Sequence, residues 1–224
     1  MDESTVFESA NDSNIYELNC PKGHRTTVVV IATRHEQLFE IALSAILDKY
    51  YREAVSSFAA SLERFYEFAT GVLARDLAVP DSAFGEAWKP LAKQSERQLG
   101  AFIIAFLLTE KSPPKVLASK AVELRNDVVH KGRIPTEDQA IWFGDAVLDV
   151  IRSSLAVLQA KHPAALHNHS MALHLEVLSS SVLKGKKVTR HSLAMALRDL
   201  ETEEVAGRDT KFYLWRLSHL HRRQ

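Results

Sequence analysis

The segment around which this chain is organised runs from residue 123 to residue 132 and reads ELRNDVVHKG. A helix turns by about 100° per residue, so this segment would carry an apolar stripe and end at its glycine. Asn126 and His130 are four residues apart and therefore share a face, about 160° away from Val128. We expect the amide and the imidazole to point away from the chain's own core. The predicted apolar stripe consists of Leu117, Ala121, Leu124 and Val128.

Arg125 lies between these two faces of the predicted helix. It falls about 60° from Val128, and its long side chain can reach round towards His130. Arginine, four intervening residues and histidine, with an amide directly after the arginine, form a recognisable pattern. The pattern resembles the R-x4-6-H motif of the HEPN superfamily. HEPN domains are small helical bundles found in many prokaryotic RNA-cutting toxins and anti-phage proteins.

The resemblance extends beyond the motif and covers roughly residues 34 to 160. Upstream are YYREA at residues 50–54 and SLERFY at residues 61–66, and downstream is IPT at residues 134–136, before a new helix. The resemblance implies an all-α, HEPN-like helical bundle. It also implies a metal-independent endoribonuclease, as in a toxin or a phage-defence effector. In HEPN nucleases two copies of the motif meet across a dimer, so a homodimer with one composite site is implied.

The chemistry of the three motif residues suits that activity. RNA cleavage without a metal needs a base for the 2′-hydroxyl, an acid for the 5′-oxygen and a cation for the phosphorane. His130 would transfer protons because an imidazole titrates near neutral pH. Arg125 would hold the phosphate because its planar fork binds two oxygens at once, and Asn126 would have an orienting role. No cofactor is implied. The implied partners are RNA, a second copy of the chain and an antitoxin or regulatory protein.

Other interpretations of these residues stay open. A charged His130 near a helix C-terminus would interact favourably with the helix dipole, by about 0.3–1 kcal/mol. Arg125 could simply pair with Glu63 or another carboxylate, and Glu63 would be either such a partner or a carboxylate that supports the site. The chain could also be a catalytically inactive HEPN module that binds a nucleotide or a protein partner. A helical scaffold with no role in nucleic-acid binding would leave the outward-facing Asn126 and His130 unexplained.

Composition narrows the class of protein. The chain has 224 residues and no net charge, so RNA contact would need a local basic patch rather than a global field. Cys20 is the only cysteine, which excludes an internal disulfide and argues against a secreted disulfide framework. The sequence shows no basic-then-apolar signal pattern and no run of about 18 apolar residues. We therefore expect a cytoplasmic protein without a membrane partner.

Four segments are predicted along the chain. Residues 1–14 are acidic and rich in Ser and Asn, which predicts a mobile leader. Residues 15–32 hold two β-prone runs around a Pro/Gly turn and predict a β-hairpin. Residues 33–160 carry helical periodicity and form the predicted bundle. Residues 161–224 are basic and histidine-rich, and we expect a helical extension there.

Local signals predict where the helices of the bundle begin. Thr33, Ser95 and Thr136 are each followed three residues later by Glu or Gln, which is the capping-box pattern. SPP at residues 112–114 is predicted to break the chain and start the motif helix. The run FIIAFLL at residues 102–108 is apolar all round and is therefore predicted to lie at the centre of the bundle.

Basic residues are candidates for contacts with the RNA backbone. From residue 184 to the end there are ten Lys and Arg residues against five Asp and Glu residues. Such a cluster can track phosphates, although a charge run is also common in solvated turns. The RNA-backbone candidates are Lys131, Lys184, Lys186, Lys187 and Arg190.

Two patterns raise the question of a metal. The segment CPKGH at residues 20–24 resembles half of a zinc knuckle, but a structural zinc site needs four ligands and no other cysteine exists. We expect a plain turn there and no stoichiometric zinc on Cys20 and His24. Four histidines in the C-terminal part have no recognised ligand spacing, and we interpret them as solvated linker residues. They are His162, His167, His169 and His174.

Overall fold

A computed structural model describes the chain over residues 11–19, 22–186, 188–191, 197 and 208–221. Over these ranges the protein is mostly helical with a small three-stranded sheet, which agrees with a mainly α fold. Some of the sequence-based predictions lie outside the described residues. They concern most of the leader, the zinc question at Cys20 and the basic residue Lys187.

The chain divides into two compact units. The sheet unit draws on Met1–Thr33 and Asn168–Ala194, and the helical unit draws on Arg34–His167 and Met195–Gln224. The predicted hairpin and part of the predicted C-terminal extension therefore belong to one unit, although they are far apart along the chain. Each unit is described by itself below.

The helical unit holds seven of the helices that the structure describes, and an eighth, α7, begins in it. α2 is the longest of them. It packs against α1, α3, α4, α5 and α6, and 15 of its 26 residues are buried, as is typical of a helix at the centre of a bundle. The helices are α1 Arg34–Leu47, α2 Tyr51–Asp76, α3 Asp81–Leu91, α4 Ser95–Glu110, α5 Ser119–Lys131, α6 Glu137–Lys161, α7 Pro163–Leu178 and α8 Thr210–His221.

Aromatic side chains connect α2 to its neighbours. The rings of Phe39 on α1 and Phe58 on α2 meet edge to face with their centroids 4.9 Å apart. Tyr66 on α2 stacks on Phe102 of α4 at 5.0 Å. All four side chains are buried, so these pairs add directional contacts of about 0.5–1.5 kcal/mol each to the burial of apolar area. The first pair holds α1 against α2, and the second holds α4 against α2.

The prediction that residues 102–108 lie at the centre of the bundle is wrong. Only Phe102 and Phe106 of this run are buried, whereas Ile104 and Leu108 are 55% and 61% exposed. α4 packs against α2 and α3, so it lies at the surface of the bundle and its apolar residues extend round to the outer side. We call the outer residues the apolar face of α4. They are Ile104, Leu107 and Leu108.

The motif helix α5 begins later than predicted. The backbone stays extended after the two prolines as far as Ala118, whose φ and ψ are −66° and 152°, and the helix starts at Ser119. Leu117 therefore precedes the helix and is not part of its apolar stripe. The remaining stripe is confirmed, since Ala121, Leu124 and Val128 are buried. Gly132 ends the helix as predicted, with a φ of 72° that a residue with a side chain rarely adopts.

Two of the three capping-box predictions, those for Thr136 and Ser95, have opposite outcomes. Thr136 caps α6 with its hydroxyl and receives the reciprocal bond from Gln139, so this prediction is confirmed. The prediction for Ser95 is wrong, because Ser95 is the first residue of α4 and Gln94 precedes it without a side-chain cap. Gln98 instead donates to the Ala92 carbonyl. The Ser95 hydroxyl is thereby available for other contacts.

The sheet unit contains the predicted hairpin and one further strand. β1 Ile15–Asn19 pairs antiparallel with β2 Arg25–Val30, which confirms the hairpin. β3 Val188–His191 then pairs parallel with β2, so the predicted extension is not helical throughout. Val29 is fully buried and forms a small core with Ile15 and Leu183.

The interpretation of the C-terminal histidines as solvated linker residues is wrong for two of them. His162 directly follows α6 and His169 lies on α7, and both are buried. The continuous helix Pro163–Leu178 occupies the stretch that was expected to be a linker.

Over the described ranges, no helix combines the length and the apolar character needed to cross a bilayer.

Candidate functional site

Arg125 is at the centre of a polar cluster to which α2, α4 and α5 each contribute. Its Nη1 donates to Asn126 Oδ1 at 3.0 Å and lies 3.2 Å from His130 Nε2. Its Nη2 donates to Glu63 Oε1 on α2 at 2.9 Å and to Ser95 Oγ on α4 at 3.0 Å. The structure therefore brings together the four residues predicted for the site, Glu63, Arg125, Asn126 and His130, and adds Ser95.

The Arg125–Glu63 ion pair is partly shielded from solvent. The side chains of Arg125 and Glu63 are 17% and 26% exposed. In such a position a charge-assisted hydrogen bond contributes about 1.5–3 kcal/mol, more than an exposed surface pair. The pairing with Glu63 that the sequence left open is present, and it fixes one edge of the guanidinium. The same guanidinium keeps its other edge against Asn126 and His130.

His130 is the penultimate residue of α5 and is exposed. A guanidinium can only donate hydrogen bonds, so Nε2 of His130 is the acceptor in its contact with Arg125. The geometry thus corresponds to a neutral imidazole with its proton on Nδ1. A neutral imidazole can take up a proton, but Nε2 must first give up this hydrogen bond because it has a single lone pair.

Ser95 and Glu96 were not predicted as site residues. Ser95 Oγ accepts from Arg125 and donates to Glu96 Oε2 at 3.3 Å, so hydrogen bonds run from the guanidinium to a second carboxylate. The pKa of Glu96 is lowered, chiefly by its own backbone N–H at the start of α4, against an opposing effect of burial; Ser95 and Arg125 lower it further. The capping-box pattern of Ser95 and Gln98 concealed the contact of Ser95 with Arg125. The one signal in the sequence for a role of these residues was their polar character at the predicted start of a helix.

A pocket of about 160 Å³ opens beside the cluster. Its polar edge is formed by Glu63, Ser95, Glu96, Arg125 and Asn126. The rest of its wall is apolar, and Val116 and Val122 at this wall are 39% and 40% exposed. The apolar wall consists of Ala59, Leu62, Tyr66, Leu99, Val116, Leu117 and Val122.

A second group of charges lies at the end of α5. Lys131, predicted to contact the RNA backbone, pairs with Asp127 at 2.9 Å, and Arg133 pairs with the same carboxylate at 3.2 Å. The hydrogen bonds from Lys131 and Arg133 lower the pKa of Asp127. The Lys131 side chain is 74% exposed, so its charge remains accessible to a phosphate.

The remaining basic candidates belong to the sheet unit. Lys186 forms an ion pair with Glu17 of β1, and this hydrogen bond is the main cause of the lowered pKa of Glu17. Lys184 and Arg190 are exposed. The structure thus brings none of these residues into the hydrogen-bonded cluster around Arg125, and Lys187 lies outside the described residues.

Comparison of the chain with protein families, curated proteins and solved structures finds no match. The chemistry of the site is therefore inferred from its own side chains. A guanidinium, an amide, a hydroxyl and two carboxylates line one pocket, and the imidazole of His130 lies against the guanidinium. This set can bind a phosphate and transfer protons.

Proposed function

We propose that this protein is a metal-independent endoribonuclease of the HEPN type, acting as a toxin or phage-defence effector. The observation that supports the proposal is the joint contact of Arg125 Nη1 with His130 Nε2 at 3.2 Å and with Asn126 Oδ1 at 3.0 Å. The contact combines a phosphate-binding cation with a proton-transfer group. If Arg125 had only a structural role as an ion pair, its contact with Glu63 would be sufficient.

In the proposed reaction Arg125 Nη1 turns from His130 Nε2 to the substrate phosphate, which frees the lone pair of Nε2. His130 Nε2 then takes the proton of the substrate 2′-hydroxyl, and the 2′-oxygen attacks the adjacent phosphorus. The bond from phosphorus to the 5′-oxygen breaks, and an acid protonates the departing 5′-oxygen. The products are a 2′,3′-cyclic phosphate and a 5′-hydroxyl. Arg125 stabilises the charge on the phosphorane, and Asn126 holds the guanidinium in position. Glu63 holds the other edge of Arg125.

A single chain offers one imidazole in this cluster, whereas the reaction uses a base and an acid. We propose that a second copy of the chain supplies the acid as its own His130, so that the active form is a homodimer. Two observations support this. His130 is exposed, and the apolar face of α4 carries three large hydrophobic residues that are at least 39% exposed. Burial of such a patch is a common reason for association.

The proposal is tested with purified protein, single-stranded RNA and excess EDTA. We expect RNA cleavage with 2′,3′-cyclic phosphate ends, while DNA of the same sequence stays intact because it lacks the 2′-hydroxyl. Light scattering should give about twice the 25.1 kDa of one chain at micromolar concentration. RNA left intact by the dimer across a panel of substrates, or a monomer that cleaves as fast as a concentrated sample, would contradict it.

A second candidate function is a catalytically inactive module that binds a nucleotide or a protein partner. The observation that favours it is that both Nη atoms of the Arg125 guanidinium already form hydrogen bonds within the chain. An arginine held in this way contributes fixed positive charge to a binding pocket without any turnover. This alternative predicts nucleotide binding by wild-type protein, no cleavage, and loss of binding in Arg125→Ala.

A further inference from the structure

The pocket beside Arg125 separates apolar and polar surface in a way that suits a nucleobase. Ala59, Leu62 and Tyr66 of α2 are buried and form one part of the wall, and Leu99 of α4 adds to it. A flat ring can lie against such a wall, since ligand pockets are typically apolar with a few polar groups that fix orientation. The polar groups are all on the side of Arg125. A base in this pocket would therefore have its phosphate near the guanidinium.

The two carboxylates at the polar edge differ in what they can still bind. Glu63 uses Oε1 for Arg125 at 2.9 Å and is partly shielded. Glu96 is exposed, and its carboxylate interacts with its own backbone N–H and accepts a 3.3 Å hydrogen bond from Ser95. Its pKa is lowered, so at neutral pH it is an ionised group that accepts hydrogen bonds and cannot donate them. Glu96 is thus the carboxylate best placed to recognise a ligand.

An ionised carboxylate selects among the four RNA bases by their hydrogen-bond donors. Guanine presents two parallel donors, N1–H and the N2 amino group, which match the two oxygens of a carboxylate. Adenine and cytosine present one amino group next to an acceptor nitrogen. Uracil presents one N–H between two carbonyl oxygens, which a carboxylate repels. The chemistry of Glu96 therefore favours guanine.

We propose that this pocket is a base-binding subsite for guanine, in which the apolar wall holds the ring and Glu96 accepts its two donors. The subsite would place a guanosine next to the phosphate that Arg125 holds. The inference rests on the proposed function for its substrate, because it makes the endoribonuclease selective for phosphodiester bonds adjacent to guanosine. The subsite itself is tested by nucleotide binding, independently of cleavage.

The test is calorimetric titration of the full chain with guanosine 3′-monophosphate and 5′-monophosphate, and with the matching uridine nucleotides. We expect the tighter of the two guanosine nucleotides to bind about tenfold more tightly than its uridine counterpart, a difference of about 1.4 kcal/mol. Glu96→Gln should remove this preference, because an amide offers one acceptor and one donor. The matched control is Glu86→Gln on α3, an exposed glutamate that does not line the pocket. It should leave the preference unchanged.

A second variant tests the pocket itself. Val122 is 40% exposed at the wall, so Val122→Trp would cover the opening without changing the core. We expect it to weaken binding of both nucleotides with an unchanged circular dichroism spectrum. Equal affinities for guanosine and uridine nucleotides, no binding of either, or a preference that survives Glu96→Gln would overturn the subsite.

The two proposals fail in different ways. RNA cleavage with no preference for any base would keep the endoribonuclease and remove the subsite. Selective binding of a guanosine nucleotide, with no RNA cleaved, would keep the subsite and remove the endoribonuclease. Cleavage next to guanosine that becomes indiscriminate in Glu96→Gln would support both.

Discussion

Arg125 Nη1 and His130 Nε2 lie 3.2 Å apart, so the cation and the imidazole of α5 touch across five residues of one helix. A protonated imidazole could not accept this hydrogen bond and would place a second positive charge beside the guanidinium. The contact therefore belongs to the neutral form of His130. The orientation of the His130 imidazole therefore depends on the side chain at position 125.

Arg125→Lys is expected to recover only part of the activity lost in Arg125→Ala. The fork of Arg125 reaches Asn126, His130, Glu63 and Ser95 at once, and an ammonium on a flexible stem cannot do so in one plane. We expect RNA cleavage to fall by at least about 100-fold in the alanine variant and by less in the lysine variant. Single-turnover rates on one RNA measure this. Equal cleavage rates for Arg125→Lys and wild type would contradict a role for the planar guanidinium.

Glu63→Gln is expected to affect the site through Arg125 rather than through substrate. The amide keeps an oxygen acceptor but loses the charge that faces Nη2 at 2.9 Å. The free energy of unfolding should fall by about 1 kcal/mol, since the pair is only partly shielded. Cleavage should fall less than in Arg125→Ala. Denaturant unfolding and cleavage rates check both parts, and a loss of activity equal to that of Arg125→Ala would indicate a direct catalytic role.

Gly144→Ala and Gly100→Ala form a matched pair of stability tests. A Cβ on Gly144 of α6 would lie 2.8 Å from the ring of Phe58, so the variant should lose about 1–3 kcal/mol of stability. Gly100 of α4 has open space at the same position, and alanine there should stabilise the protein by about 0.5–1 kcal/mol. Thermal unfolding should move in opposite directions for the two variants. A stabilised Gly144→Ala would contradict the close approach of α6 and α2.

His162 is expected to make the stability of the helical unit depend on pH. Its Nδ1 lies 2.9 Å from Asp76 and its Nε2 lies 2.6 Å from Glu110, which Lys161 also contacts. Burial lowers the pKa of His162, but the two carboxylates outweigh it and raise the pKa above 6.5. Lys161 and His162 lower the pKa of Glu110.

The sign of the effect follows from these directions. A raised histidine pKa contributes stability that is complete below about pH 6.5 and is lost as the pH rises through the folded-state pKa. The lowered pKa of Glu110 contributes stability above its ordinary pKa of 4.5 that is lost as the pH falls through the folded-state value. The free energy of unfolding of the wild type should decrease above pH 6.5. Denaturant unfolding should show no such decrease for His162→Gln, whereas His167→Gln, at an exposed position, should keep it. Identical pH profiles for wild type and His162→Gln would contradict the stabilising contacts of His162 with Asp76 and Glu110.

Local signals in the sequence predicted the structural features that depend on residues close together along the chain. Gly132 ends α5 and Thr136 caps α6, because a left-handed residue and a capping box act within one turn. Arg125 reaches His130 for the same reason, since both lie on one helix. These features follow from helix geometry and need no tertiary information.

Features that depend on distant parts of the chain were missed or mistaken. Ser95 resembled a helix cap, yet its hydroxyl binds Arg125, which is 30 residues away. The pairing of β3 with β2 joins residues such as Val188 and Thr27, and no local pattern indicates it. His162 resembled a solvated residue because its partners Asp76 and Glu110 come from two other helices. Tertiary packing decides each of these.

The most direct test of the proposed function is the cleavage rate of His130→Ala in excess EDTA, measured beside wild type and His167→Ala. General acid–base catalysis typically contributes about 10²–10⁴-fold, so His130→Ala should lose at least about 100-fold with an unchanged melting temperature. His167 is exposed and has no place in the cluster, so His167→Ala should cleave as wild type does. Wild-type-like cleavage by His130→Ala would contradict the claim that His130 transfers the proton.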